Sequence, residues 1–179
     1  RFMAKLGVFP NNSTYDAMRD MRSRLSSVSL ERVRDEMFGL LSAKSGFSIE
    51  TTIMTMLLTE VMDFVIPEFR VSVGFEQKNL HHDMTVDRHV LRALAYSVGM
   101  GASLRARWAV LLHDIAKPET FSLKDGCGHF YGHEVVGAAK AAAICERLKF
   151  SIDDARAITK LVAEHLRPDK DCSDKTLRK

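Results

Sequence analysis

The chain has 179 residues, 46% hydrophobic and 27% charged, with 10 Gly and only 4 Pro, which bounds it to one ordinary globular domain or two small ones. An aromatic share of 8% and few turn residues disfavour a β-sandwich, a disordered tail or a collagen-like chain, so an all-α protein is expected. The 26 Lys and Arg against 23 Asp and Glu leave +3 with the signs interleaved, too mild a balance to establish nucleic-acid binding by itself.

Ser13 and Asp16 stand in the spacing of a helix start, and Met18, Met21 and Leu25 then recur on one face. Ser29 is placed to cap the next helix, with Val33, Met37, Leu40 and Leu41 as its apolar stripe. Gly46 predicts a break, after which Ser48 opens a helix carrying Ile53, Met56, Leu57 and Val61, with Pro67 as its stop and four threonines weakening it. From Arg70 to Asp83 the periodicity lapses, and Glu76-Gln77-Lys78-Asn79 reads as an exposed connection between two helical subregions. Helices resume at about 85–98, 103–113, 133–148 and 152–166, the last with Ser151 as cap and Asp154 three residues on. A loop containing Gly126, Gly128 and Gly132 is expected between Lys117 and Gly132.

Cys127, Cys145 and Cys172 are far apart and form no CxxC pair, which argues against a disulfide framework or a thiolate zinc site and for a cytoplasmic setting. No apolar run approaches the length of a membrane span. The start at Arg1 and the basic stretch 176–179, without a helix-stop signal, suggest a piece of a longer protein.

The seven histidines carry the chemical information. His89 shares an apolar helical face with Val86 and Ala93, and His165 does the same with Ile158 and Leu161. Either alone is most simply a core histidine bonded to a carbonyl. His113-Asp114 follows the apolar run Trp108-Ala109-Val110-Leu111-Leu112, so an imidazole and a carboxylate emerge together where a core helix ends. With the two inward histidines, they suggest a divalent cation. Nitrogen and oxygen donors without a thiolate suit Mn, Fe, Co, Ni or Mg better than structural zinc. His129 and the pair His81-His82 read as surface residues.

These residues resemble the HD domain family of metal-dependent phosphohydrolases. The resemblance lies in Asp87-Arg88-His89-Val90, in Leu111-Leu112-His113-Asp114-Ile115-Ala116-Lys117-Pro118, in Tyr131-Gly132-His133-Glu134-Val135-Val136-Gly137-Ala138, and in Glu164-His165-Leu166. Ala116 stands where the family has Gly, and Arg88 where it often has Glu. The flanking phrases Arg1-Phe2-Met3-Ala4-Lys5-Leu6-Gly7, Ser29-Leu30-Glu31-Arg32-Val33-Arg34-Asp35-Glu36 and Ser173-Asp174-Lys175-Thr176-Leu177-Arg178 are similar to bacterial tRNA nucleotidyltransferases, the CCA-adding and poly(A) polymerase family.

The resemblance implies a helical neck over 1–70 followed by an HD-type bundle over 71–179. It implies metal ligation by His89, His113, Asp114, His133, His165 and Asp174, the last preferred over Asp169 and Asp171 because a Thr-Leu-Arg stretch follows it. Asp114 and Lys117 are its candidates for catalysis, with Lys117 binding a phosphate oxygen or standing in solvent at the helix end. Expected partners are tRNA or another RNA with a phosphate or cyclic-phosphate end, and the head domain of a parent protein. The likeness does not extend to that family's head, with its Gly-rich loop and paired aspartates on a strand, so this chain alone is not expected to transfer nucleotides. The other reading is a non-catalytic helical body that positions tRNA, with Arg19, Arg22, Arg24, Arg32 and Arg34 against phosphates.

Overall fold

The computed structural model describes residues 1–78 and 84–166, and within them the fold is all-α apart from one small hairpin. Five helices build the N-terminal part: α1 (Phe2–Leu6), α2 (Asn12–Met21), α3 (Leu30–Leu41), α4 (Gly46–Leu58) and α5 (Met62–Val65). Five more follow: α6 (Val86–Gly99), α7 (Leu104–Leu112), α8 (Lys117–Thr120), α9 (His133–Arg147) and α10 (Ile152–Glu164). Between α8 and α9, β1 (Ser122–Lys124) pairs antiparallel with β2 (Cys127–His129), Leu123 facing Gly128. None of the described helices is long and apolar enough to cross a membrane.

The apolar stripes read from the sequence become one continuous core running from Ala4 to Val162. In α3 the buried positions are Val33, Met37, Leu40 and Leu41. Fully burying each such side chain contributes about 1.5–3 kcal/mol. Phe38 of α3, Trp108 of α7 and Phe150 ahead of α10 join in an aromatic knot with centroids 5.0–5.7 Å apart, tying the N-terminal part to the bundle. Polar ties reinforce it. Arg107 donates to the carbonyls of Leu41 and Ala43, and Arg147 reaches Glu68 with distances of 3.0 and 2.8 Å.

Several boundaries differ from the sequence reading, each for a local reason. Helix α2 starts at Asn12 because Asn11, not Ser13, accepts the hydrogen bond of Thr14 N–H. Gly46 opens α4 instead of breaking the chain, with Ser45 as the cap. Glycine is required there because a Cβ would stand 2.3 Å from the Ala95 carbonyl of α6. Helix α4 ends at Leu58, before Pro67, where Glu60 turns left-handed at φ 60°. Pro67 begins a short 3-10 turn instead. The predicted loop after Lys117 contains α8 and the hairpin, whose turn is the left-handed pair Asp125-Gly126. The connection around Gln77 is not wholly exposed, since Gln77 is 1% accessible.

Candidate metal centre

Five of the six predicted ligands stand together. His89 comes from the first turn of α6, His113 from the end of α7, Asp114 from the turn that follows, His133 from the start of α9 and His165 from the end of α10. Asp114 is the hub. Its Oδ2 lies 3.1 Å from His113 Nε2 and 3.4 Å from His89 Nε2, and its Oδ1 lies 3.3 Å from His133 Nε2 and 3.8 Å from His165 Nε2. Two groups of potential ligand atoms result, His89/His113/Asp114 and Asp114/His133/His165, with the atoms in each within 4.8 Å of one another. Asp174 lies outside the described residues, as do His81 and His82.

The helix ends orient the rings. His113 and His165 occupy C-terminal caps of α7 and α10, and each Nδ1 meets the carbonyl three residues back, Val110 or Val162, at 2.7 Å. His133 does the same with Phe130 at 2.6 Å. A carbonyl only accepts, so each Nδ1 carries the proton, and in the neutral ring each Nε2 is left with a lone pair. His133 Nε2 and His165 Nε2 then face each other at 3.2 Å with no proton between them. Asp114 Oδ2, fully shielded from solvent, has no properly directed hydrogen bond. Convergent lone pairs of this kind are a donor set that could hold a cation. Backbone carbonyls holding the far nitrogen of each imidazole are the usual support for metal-ligating histidines.

The electrostatics match. Burial would raise the Asp114 carboxyl, but the neighbouring His113 and His133 rings and the Lys117 ammonium outweigh it and hold the group well below the usual carboxylate range. Burial is also the main cause that lowers His165, aided by the neighbouring His113 and His133 against the opposing Val162 carbonyl and Asp114.

Lys117 is not a solvent lysine. It is 5% accessible, with Nζ 2.9 Å from Asp114 Oδ2, 2.8 Å from Gln77 Oε1 and 5.3 Å from the Phe130 ring centre. Gln77 was missed by the sequence reading. Its side chain accepts from Lys117 and donates to the Met84 carbonyl at 3.0 Å, so it fixes the ammonium against the carboxylate. Gly128 makes this possible, since a Cβ there would lie 2.1 Å from the Gln77 carbonyl. The buried amide has no signature in hydropathy. The Asp125-Gly126 pair, a strong hairpin signal, points to the pairing of β1 with β2 but not to the packing of β2 on this segment.

A pocket of about 410 Å³ opens beside these groups, lined also by Cys127, His129 and Tyr131 of the hairpin region. His129 is thus half-buried at the pocket wall, stacked on Tyr131 with centroids 5.1 Å apart, and not the surface residue expected. Cys127 and Cys145 are free thiols, and burial pushes Cys145 up to about 11. In the N-terminal part, two of the five arginines considered for RNA are engaged in ion pairs, Arg22 with Glu60 at 2.9 Å and Arg34 with Asp35 at 2.8 Å.

Comparison with known proteins places these observations. The HD domain family model matches residues 86–178, and a second model, described as the probable RNA and SrmB-binding site of polymerase A, matches residues 8–72. The chain is 33% identical to an A-adding tRNA nucleotidyltransferase of Deinococcus radiodurans over 93% of its own length and 39% of the relative's. It is 33% identical to a CC-adding tRNA nucleotidyltransferase of Thermus thermophilus, covering 76% of this chain and 31% of the relative. A multifunctional CCA protein of Azoarcus sp. is 34% identical over 56% of this chain and 24% of the relative. The chain therefore spans well under half the length of these curated relatives.

Proposed function

From a chain that belongs to the HD domain family, we propose a metal-dependent phosphohydrolase centre set in the neck and HD region of a tRNA nucleotidyltransferase relative. In this reading the neck-like part covers 1–70 and the HD part 71–179. His89, His113 and Asp114 hold one divalent ion, and Asp114, His133 and His165 form the adjoining position, with Asp174 as a further ligand. The carrying observation is the convergence of donor atoms: His133 Nε2 stands against His165 Nε2 at 3.2 Å, and the Asp114 oxygens lie within 3.8 Å of four imidazole Nε2 atoms. The donor set suits Mn, Ni, Co, Fe or Mg.

A divalent ion bound there lowers the pKa of water and neutralises phosphoryl charge. The chain's own residues do the rest. Asp114 stays ionised because its neighbours hold it so, and its two oxygens face the two histidine pairs. The Nδ1 bonds to Val110, Phe130 and Val162 keep the rings from rotating, so the donor atoms are preorganised. Lys117, clamped by Gln77 and Asp114, lines the pocket and presents a fixed positive charge to a phosphoryl oxygen. The substrates we propose are phosphomonoesters and 2′,3′-cyclic phosphates, including those at RNA ends. The 8–72 segment is proposed to contact tRNA in a cytoplasmic parent protein. Nucleotidyl transfer in that parent falls to a head domain outside this chain.

The test is hydrolysis of p-nitrophenyl phosphate and adenosine 2′,3′-cyclic phosphate by chelator-stripped protein resupplied with Ni, Co or Mn. Turnover that depends on metal and disappears in His113→Ala supports the reading. If neither this chain nor one extended past Lys179 hydrolyses a substrate or binds metal, the reading is wrong.

A further inference from the structure

The pocket at the candidate metal centre has an aromatic wall that the proposed chemistry does not use. His129 and Tyr131 lie on it with their rings nearly parallel, 8° between the planes and 5.1 Å between the centroids. That arrangement is an offset stack. His129, at the end of β2, covers one face of the Tyr131 ring, yet Tyr131 is 75% accessible. A flat ring with one open face therefore stands at the rim of the pocket.

The chain fixes this wall to the centre. Tyr131 is two residues before the predicted ligand His133, and Gly132 between them turns left-handed at φ 77°. The Phe130 carbonyl accepts from the His133 backbone N–H at 3.2 Å and from its Nδ1 at 2.6 Å, so one tight turn sets the imidazole and the tyrosine together. Behind the wall, Phe130 packs on Phe121 and Phe121 on Phe75, with centroids 5.6 and 5.4 Å apart. Gly128 N–H donates to the Lys78 carbonyl at 2.7 Å and ties β2 down as well. A surface held in this way gives up little freedom when a ligand settles on it.

We infer that Tyr131, backed by His129, is the residue that selects phosphate esters carrying a nucleobase: the base stacks on the open face of Tyr131 while the phosphate lies at the histidine and aspartate centre. The inference rests on the phosphohydrolase reading above and adds to it the residue that grips the organic part. The pocket, at about 410 Å³, falls in the range of roughly 300–1,000 Å³ usual for small-molecule sites, so it has room for more than a phosphoryl group. Lys117, on the same pocket, draws the phosphoryl oxygens toward the centre. Depressions of about 530, 740 and 750 Å³ lie elsewhere, but among the described residues none of them is lined by a predicted metal ligand, so none adjoins a phosphate held at the centre. Every base has a flat face, so stacking admits all four, and the larger purines cover more of the tyrosine ring than pyrimidines do.

Calorimetry on the metal-loaded chain tests this with two probes that differ only in the base, the methylenephosphonate analogues of adenosine 5′-monophosphate and of ribose 5-phosphate, whose carbon–phosphorus bond resists hydrolysis. The sugar probe reports the centre, and the ratio of the two affinities reports the base. The adenosine probe is expected to bind about tenfold or more tighter than the sugar probe, and about threefold tighter than its uridine counterpart. Tyr131→Ala is expected to bring the adenosine-to-sugar ratio close to one, and Tyr131→Phe, which keeps the ring, to hold it within about threefold of the wild type. Binding of the sugar probe by each variant shows that its centre is still formed. If the wild-type chain binds both probes equally, or the adenosine advantage survives Tyr131→Ala, the stacking role is refuted while the centre stands. If neither probe binds the wild-type chain, both readings fall.

Discussion

Helix α4 and the turn after α7 both bury polar groups, and they satisfy them in opposite ways. In α4 the hydroxyls of Thr52, Thr55 and Thr59 donate to the carbonyls of Ser48, Thr51 and Thr55 at 2.6, 2.9 and 2.8 Å, all within their own helix. Around Asp114 the neighbours come from α6, α7, α8 and α9, with His165 from the end of α10, and local bonds take up only the outer nitrogens of His113, His133 and His165. A polar group satisfied by its own helix adds order and nothing further. Groups whose local bonds aim their remaining lone pairs at one point form a site with a demand for charge.

The largest expected effect separates the two regions most sharply. Asp114→Ala leaves the Lys117 ammonium buried without its counter-ion, and is expected to destabilise the chain by about 3–5 kcal/mol in denaturant titration and to remove metal. His113→Ala removes a ligand without stranding that charge, so it is expected to fold normally and still lose metal. Next, Gln77→Leu takes the acceptor from Lys117 Nζ, and a loss of about 1–3 kcal/mol in stability is expected, with a higher KM for phosphate esters.

Acid sharpens the comparison in two steps. The folded chain holds His165 below its ordinary 6.5, so the unfolded chain binds that proton first, and metal-free protein is expected to lose stability as pH falls from 6.5 toward the lower folded value. His165→Gln removes that step. Asp114 is held below its ordinary 3.8, so its contribution is complete above 3.8 and is lost as pH falls from there toward the folded value. Thermal melts from pH 8 to 3 resolve the first step and the onset of the second. The smallest effect belongs to α4, where Thr52→Val removes a locally bonded hydroxyl. A change within about 1 kcal/mol and unaltered metal content are expected.

What the sequence disclosed follows the same division. Apolar stripes at helical spacing revealed the body of each longer helix, because burial of one face is a repeating property of neighbouring residues. The ends were less legible: Asn11 caps α2 in place of Ser13, and Gly46 is fixed by the Ala95 carbonyl, a contact 49 positions away in the chain. His89 and His165 stood out as imidazoles on apolar helical faces, His113-Asp114 as a pair where an apolar helix ends, and His133 through the resemblance to the HD family. Gln77 did not, since a glutamine in a polar run looks solvated until Lys117 and the folded-back hairpin enclose it. The burial of Lys117 and the half-burial of His129 were hidden for the same reason.

In the proposed function, the lone pairs around Asp114 are held for a divalent cation. Equilibrium dialysis of chelator-stripped chain against Mn, followed by emission spectrometry of the protein, measures this directly, with His113→Ala alongside. We predict about one ion or more per wild-type chain and a reduction of about tenfold or more in the variant. A wild-type chain that retains no ion, or a variant that retains as much as the wild type, would contradict the account.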